Sequence, residues 1–157
     1  MTITDGVATC YDTMTVSVNV PTYSFTNDTI VSCGADTAKV VAGAGWSKYK
    51  WSQGDSAQQV SLTVSGMYNL TVTNSIGCTA SDSVYVSLIN SEITHGDTTI
   101  CSGTSLTLKS TNLPNSFSYT WSTTDTATAI VVSPTATTTY SVTITDGVGS
   151  CLDSVKV

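Results

Sequence analysis

Short stretches in which apolar and polar residues alternate run through this sequence. Two clear examples place an apolar residue at every second position: Val60, Leu62 and Val64, and then Tyr68, Leu70 and Val72. A period of two is typical of a strand with one buried and one exposed face. No window shows a sustained helical period, and turn residues recur at short intervals. The pattern therefore predicts an all-β protein.

The sequence also contains an internal repeat, because the segment from Cys33 to Cys78 aligns with the segment from Cys101 to Cys151. The matched pairs are Cys33 and Cys101, Tyr49 and Tyr119, Trp51 and Trp121, Asp55 and Asp125, Tyr68 and Tyr140, and Cys78 and Cys151. Self-similarity of this kind indicates tandem structural units.

The first residues resemble the end of such a unit. "ITDGVATC" near the N-terminus matches "ITDGVGSC" near the C-terminus, so that Cys10 corresponds to Cys151. We therefore expect residues 1–19 to be the C-terminal hairpin remnant of a preceding repeat, which could self-associate through its open edges. Complete Ig-like repeats are expected over 20–90 and 91–157. Strands of the first are predicted near 28–33, 38–43, 47–52, 58–65, 67–74 and 82–89.

Two antiparallel sheets packed face to face would bury the apolar face of each. The predicted fold is all-β, with tandem Ig-like or PKD-like antiparallel β-sandwiches in an elongated array.

Four of the five cysteines occupy equivalent positions in the two complete repeats. We therefore expect one disulfide within each repeat, Cys33–Cys78 and Cys101–Cys151, with free thiols as the alternative. A sandwich of about 70 residues is marginally stable alone, and a disulfide closing a loop of this length would add roughly 4 kcal/mol. Cys10 would stay unpaired, because its partner would belong to the preceding repeat. Disulfides would indicate an oxidising compartment.

Three tryptophans differ in their expected roles. Trp51 and Trp121 follow a tyrosine by two positions, on the same face of a strand. A buried tryptophan packed on an inter-sheet disulfide is typical of Ig domains, so core packing is favoured over ligand stacking. Trp46 has no counterpart in the second repeat and lies in a glycine-rich loop. It is the candidate for contact with a ligand.

Composition excludes several function classes. A net charge of −6, with five basic residues in all, argues against nucleic-acid partners and against an anionic membrane surface. No apolar stretch approaches the roughly 20 residues of a membrane-spanning helix. His95 is the only histidine, and no nucleophile motif accompanies it or Glu92. We therefore expect no catalytic residues, no metal, no cofactor and no enzymatic activity.

A recurrent triplet has Asp, then Ser or Thr, then an aliphatic residue or Thr, and it includes eight of the ten aspartates. Strand entry is one explanation, since Asp caps turns and the following residues favour strands. The triplet also resembles the O-glycosylation sequon of Bacteroidota. The candidate hydroxyls are Thr13, Thr29, Thr37, Ser56, Ser83, Thr98, Thr126 and Ser154.

The repeat unit, with "YKWS" or "YTWS", "YNLTVT" or "YSVTIT", and "DSVYV" or "DSVKV", resembles the Ig/PKD-like repeats of giant cell-surface adhesins of Bacteroidota that serve gliding motility. The resemblance covers essentially the whole chain. It implies an outer-membrane-attached extracellular filament, exported by type 9 secretion, that attaches to surfaces or polysaccharide. It implies neighbouring repeats as partners and no catalytic residues.

Two functions remain open from the sequence. The first is a structural and adhesive segment that gives reach and weak attachment multiplied by repetition. The alternative is a carbohydrate-binding accessory module of a secreted enzyme, which would need an exposed aromatic platform in every repeat. Burial of Trp51 and Trp121 would favour the first.

Overall fold

The structure, a computed structural model, describes residues 2–4, 9–11, 15–90, 92–111 and 116–157, and it describes side chains at 15–90, 92–110 and 116–157. The described residues form strands and no helix, which confirms the all-β prediction. The strands are β1 Thr2–Thr4, β2 Thr9–Tyr11, β3 Thr29–Cys33, β4 Ala38–Val41, β5 Lys48–Trp51, β6 Gln59–Leu62, β7 Gly66–Thr73, β8 Thr79–Ile89, β9 Glu92–Ile93, β10 Leu106–Thr111, β11 Ser118–Trp121, β12 Ala129–Val132, β13 Thr139–Thr145 and β14 Ser150–Lys156.

The first sandwich packs a sheet of order β3-β8-β7-β5 against a sheet of β4 and β6. All pairs are antiparallel except β3 with β8, which run parallel and place Cys33 opposite Ile89. Its core joins Val40 and Leu62 from one sheet to Leu70 and Val86 from the other. Each contributing strand alternates buried and exposed residues, as the sequence pattern requires.

The second sandwich is similar, but its two sheets have three strands each and all their pairs are antiparallel. A sheet of order β11-β13-β14 packs against a sheet of order β12-β10-β9. Leu108 and Val132 face Val142 and Ile144 across its core. In each sandwich the tryptophan-bearing strand and the last hairpin belong to one sheet, namely β5 with β7 and β8, and β11 with β13 and β14. The C, F and G strands of an Ig-like fold are arranged in this way.

Trp51 and Trp121 lie in the two cores with 1% and 2% of their surface exposed, which confirms their predicted core packing. Each indole Nε1 donates a hydrogen bond to the backbone carbonyl six residues later. Trp51 donates to Ala57 at 2.9 Å, and Trp121 donates to Ala127 at 2.8 Å. The backbone N–H of Trp51 donates to the backbone carbonyl of Asp55, and that of Trp121 donates to the backbone carbonyl of Asp125. The two repeats therefore share not only the tryptophan but also its hydrogen bonds.

One part of the strand prediction is wrong. Val64 was expected on the buried face with Val60 and Leu62, but it is 65% exposed because β6 ends at Leu62. Its carbonyl oxygen instead accepts a hydrogen bond from the Tyr68 hydroxyl at 2.7 Å.

The N-terminal strands β1 and β2 pair antiparallel with Ile3 opposite Cys10. Ile144 lies opposite Cys151 in the same way. The hairpin of residues 1–19 thus has the backbone register of the β13–β14 hairpin where it is described, and its Thr13 lies outside the described residues. The boundaries at 20–90 and 91–157 and the elongated array stay predictions.

Candidate functional site: the junction between the sandwiches

A disulfide joins Cys33, at the end of β3, to Cys151 in β14, with the two Cα atoms 5.6 Å apart. It connects a strand of the first sandwich to a strand of the second. Cys78 and Cys101 are free thiols. The predicted pairs Cys33–Cys78 and Cys101–Cys151 are therefore wrong, and neither core tryptophan has an intra-repeat disulfide to pack on.

Strand direction explains why the predicted pairs do not form. Cys78 lies in the turn before β8, whereas Cys33 lies beside Ile89 at the other end of that 11-residue strand. At 3.3 Å per residue the 11 residues from Cys78 to Ile89 span roughly 35 Å, and a disulfide requires Cα atoms within about 7 Å. The partner of Cys33 is therefore not Cys78 of its own sandwich but Cys151, the residue that aligns with Cys78 in the second sandwich.

Close packing accompanies the disulfide. The Ser87 hydroxyl of β8 donates a 2.7 Å hydrogen bond to Oδ2 of Asp146, in the turn between β13 and β14. Ser87 is fully buried. Gly149 lies so close to the first sandwich that a Cβ there would be 2.7 Å from Val31 Cγ2 and 2.9 Å from Ser87 Oγ. Only a residue without a side chain fits this contact. Ile89, at the end of β8, is part of the second core.

The Asp146 carboxylate also organises its own turn. Its Oδ1 accepts hydrogen bonds from the N–H groups of Val148 at 2.8 Å and Gly149 at 2.7 Å. Desolvation acts to raise the pKa of Asp146, but the hydrogen bonds from Gly149, Ser87 and Val148 together outweigh it. The net pKa lies below the ordinary value, so the carboxylate that holds the junction is charged at neutral pH.

The turn between β7 and β8 is built in the same manner. Oδ1 of Asn74 accepts hydrogen bonds from the N–H groups of Ile76 at 3.1 Å and Cys78 at 2.9 Å. The Asn74 amide donates to Oδ1 of Asn19 at 3.1 Å. This turn therefore contacts the segment that precedes the first sandwich, just as the Asp146 turn contacts the end of β8.

Trp46 lines a groove of about 390 Å³ with Asn19, Val20, Pro21, Thr22, Ala44, Gly45 and Asn74. The ring is half-buried and packs edge to face on Tyr23, with ring centroids 6.0 Å apart. Desolvation raises the pKa of Tyr23, whose oxygen accepts a hydrogen bond from the Gly43 N–H. The structure thus places Trp46 at a groove, and its contact with a ligand stays a prediction.

One pair of equivalent aspartates of the recurrent triplet, Asp82 and Asp153, has the same kind of structural partners in both complete repeats. Asp82 accepts hydrogen bonds from the N–H groups of Phe25 and Ser83, and its counterpart Asp153 accepts them from Ile93 and Ser154. These carboxylates hold the entering chain against the strand, which supports the strand-entry explanation. Of the candidate hydroxyls, the exposed ones are Thr29, Thr37, Ser56, Thr126 and Ser154, and the half-buried ones are Ser83 and Thr98. Sugar attachment stays a prediction.

Other chemistry is sparse in the described part of the chain. Its residues include no group of three or more His, Cys, Asp or Glu side chains placed to hold a metal. His95 lies in an exposed turn with a φ of 77°. Among the described residues there is no helix with the length and apolar character to cross a membrane. The state of the Cys10 thiol lies outside the described side chains.

No protein-family model matches the sequence, and no curated protein matches it. Some similarity to solved structures is found. The chain is 13% identical to Drosophila OTK extracellular domains 3–5, covering 87% of this chain and 58% of that one, with a TM-score of 0.35. It is 15% identical to the insect immune protein hemolin, covering 85% and 45%, with a TM-score of 0.37.

A third similar structure is the Bacteroides ovatus protein SGBP-B, in complex with a mixed-linkage heptasaccharide. The identity is 14%, with 90% of this chain and 46% of that chain covered and a TM-score of 0.33. The chain thus spans about half the length of these proteins. Similarity at these TM-scores carries no inference about function.

Proposed function

We propose that the chain is a non-catalytic repeat segment of an extracellular, cell-surface filamentous adhesin of the kind represented by the gliding-motility adhesin SprB. It would give reach and weak multivalent attachment to surfaces or polysaccharide. The observation that supports this most is the junction, where two Ig-like sandwiches with separate cores are joined by packing and by the Cys33–Cys151 disulfide. A disulfide also agrees with an extracellular location.

The disulfide determines how tension would pass through this part of the chain. If the chain is pulled from its two ends, force enters β3 at Cys33 and crosses the sulfur–sulfur bond to Cys151. The residues between them, which include nearly all of both cores, lie outside the path of the force. The chain between the two cysteines cannot then be extended unless the bond is broken, and only the residues up to Cys33 and those after Cys151 bear the load. A segment that carries tension between a cell and a surface needs this property.

Single-molecule stretching of the full chain, tethered at its two ends, tests the mechanical part of the proposal. The loop spans 118 residues, and at about 3.3–3.6 Å per residue it hides roughly 390–420 Å of chain. We expect this length to appear only after reduction. Equal extension of the oxidised and reduced protein would contradict the proposal, and Cys33→Ser should behave as the permanently reduced control.

The adhesive part needs an assay in which valency is varied. Beads carrying many copies should attach to polysaccharide-coated or bare glass, while the same chain free in solution binds too weakly to measure, because repetition multiplies weak contacts. Attachment that does not depend on the density of copies would contradict weak multivalent adhesion. Loss of attachment on reduction would show that the junction has to be intact.

The alternative, a carbohydrate-binding accessory module, is supported by one observation only, the groove beside Trp46. Trp51 and Trp121 are buried, so no equivalent platform recurs at those positions. Strong binding of a soluble oligosaccharide by the free chain, lost in Trp46→Ala and kept in Tyr68→Phe, would favour this alternative over the adhesin segment.

A further inference from the structure

We propose that the groove beside Trp46 binds one ring of a neutral polysaccharide, stacked on the indole, and that this is the contact through which the chain attaches to polysaccharide. The inference rests on the proposed function, because it names the place and the chemistry of the weak attachment. It differs from the accessory-module alternative in strength, since a single stacked ring gives weak binding that becomes effective only through many copies.

Trp46 lies in the loop between β4 and β5, and a chain of aromatic rings anchors it to the core of the first sandwich. Its ring packs edge to face on Tyr23, with ring centroids 6.0 Å apart, and Tyr23 packs edge to face on Phe25 at 5.2 Å. Phe25 is buried and lies 5.9 Å from the core residue Trp51. The ring of Trp46 is therefore held from one side while it stays only half-buried.

Two tyrosine hydroxyls fix the loop that carries this ring. The Tyr49 hydroxyl donates to the Gly43 carbonyl at 3.1 Å, and the Tyr23 oxygen accepts a hydrogen bond from the Gly43 N–H at 3.2 Å. Gly45, directly before Trp46, has a φ of 97°, a conformation that suits glycine. Because ring and loop are already positioned, a ligand does not have to order them, and binding loses little conformational entropy.

The lining of the groove matches a neutral ligand rich in hydroxyl groups. None of its eight residues is charged, and two of them, Asn19 and Asn74, carry primary amides. One N–H of the Asn74 amide donates to Oδ1 of Asn19 at 3.1 Å. The second N–H of Asn74 and the amino group of Asn19 have no partner among the described residues, so they can donate to sugar hydroxyls.

Size and charge select the ligand further. The groove has a volume of about 390 Å³, near the lower end of the range of roughly 300–1,000 Å³ that is typical of ligand sites. A Cβ at Gly45, beside the indole, would meet no atom within 4 Å, so there is open space next to the ring. The net charge of −6 disfavours polyanionic chains. A neutral pyranose, with C–H groups on its face and hydroxyls on its rim, fits both the indole and the amides.

The fold itself does not require Trp46. The second sandwich forms its core around Trp121, and the second repeat has no counterpart of Trp46 in its sequence. Packing on Tyr23 explains how the ring is held but not why an indole is placed at the side of an uncharged groove.

An NMR titration of the ¹⁵N-labelled full chain with cellohexaose, laminarihexaose and mannohexaose tests the contact. The chain has three indole N–H signals, and those of Trp51 and Trp121 are internal controls because both donate to carbonyls beside the cores. We expect at least one of these sugars to move the Trp46 signal alone, with a Kd on the order of 1–10 mM, too weak to hold a single free chain on a surface. No shift of Trp46 with any of them, or equal shifts of all three signals, would overturn the proposal. Tetragalacturonate, an anionic sugar, should move Trp46 at least tenfold less, and an equal shift would overturn the assignment to neutral sugars.

Attachment of coated beads to polysaccharide-coated glass links the groove to the proposed function. Trp46→Ala should lower attachment at least tenfold, and Trp46→Tyr, which keeps an aromatic face, should keep part of it. Leu152→Ala is the matched control, because it removes an apolar side chain that is 68% exposed on the second sandwich. Unchanged Trp51 and Trp121 signals confirm that each variant folds. If wild-type and Trp46→Ala beads attach equally, this inference fails and the proposed function stands. If wild-type beads do not attach at all, the adhesive function fails, and the titration alone decides whether the groove binds sugar.

Discussion

Replacing Gly149 by alanine tests the packing at the junction more selectively than removing a cysteine does. The added Cβ would be 2.7 Å from Val31 Cγ2 and 2.9 Å from Ser87 Oγ, closer than carbon and oxygen atoms can approach. Overpacking of this kind costs about 1–3 kcal/mol. We expect a loss of about 1–2 kcal/mol at the contact between the sandwiches, in the lower part of that range, because the close atoms belong to the side chains of Val31 and Ser87 and not to backbone.

The assay is the equilibrium between the Cys33–Cys151 disulfide and glutathione, followed by mass spectrometry across a series of redox buffers. The native packing holds the two sulfurs together, so a loss of about 1–2 kcal/mol should lower the equilibrium constant for disulfide formation by roughly 5–30-fold. Gly43→Ala is the matched control, because a Cβ there meets Tyr23 at an ordinary 3.6 Å. If Gly149→Ala has the wild-type constant, the packing described for the junction is wrong.

Other predictions concern the same junction and the two cores. The pKa of Asp146 is lowered, so the ionised carboxylate stabilises the fold above the ordinary pKa of 3.8, and this stabilisation disappears as the pH falls through the lowered pKa. Ser87→Ala removes one hydrogen bond to the carboxylate and should raise the pKa of Asp146 in an NMR titration. An unchanged pKa would refute this hydrogen bond as a cause of the shift. Cys33→Ser should destabilise the oxidised protein by up to about 5 kcal/mol in the chain-entropy account of a loop of 118 residues, and a urea midpoint equal to wild type would contradict it. Trp51→Phe and Trp121→Phe each remove a buried hydrogen bond and should lower the free energy of unfolding, measured in urea, by about 1–3 kcal/mol. An equal loss for Trp46→Phe, at a half-buried site, would argue against the assigned cores.

The sequence pattern predicts the fold well where it depends on local alternation. Burial at Leu62, Leu70 and Val142 follows from period-two spacing, and the repeat of Trp51 at Trp121 extends to the same backbone hydrogen bonds. The error at Val64 arises because alternation continues for one step after pairing has ended at Leu62. Where a strand stops is set by the partner strand, which the local pattern does not contain.

The disulfide pairing could not be predicted from the equivalent positions of the cysteines in the two repeats. Equivalence shows that Cys33 and Cys101 occupy like positions, but it is satisfied equally by bonds within each repeat and by bonds from each repeat to the next. The parallel pairing of β3 with β8 decides between them, because it carries Cys33 to the end of the sheet opposite to Cys78. One signal in the sequence does agree with the docked turn, since "DGVGSC" has a glycine two residues before its cysteine at the position where a side chain would collide with Ser87.

The most direct test of the account is a disulfide map of the unreduced chain cleaved after lysine and before aspartate. This cleavage places the five cysteines on separate peptides, 5–11, 28–35, 55–81, 97–109 and 146–152. The junction predicts that 28–35 is joined to 146–152 and that 55–81 and 97–109 are not joined to each other within one chain. Peptide 28–35 joined to 55–81, together with 97–109 joined to 146–152, would contradict the bond between the sandwiches.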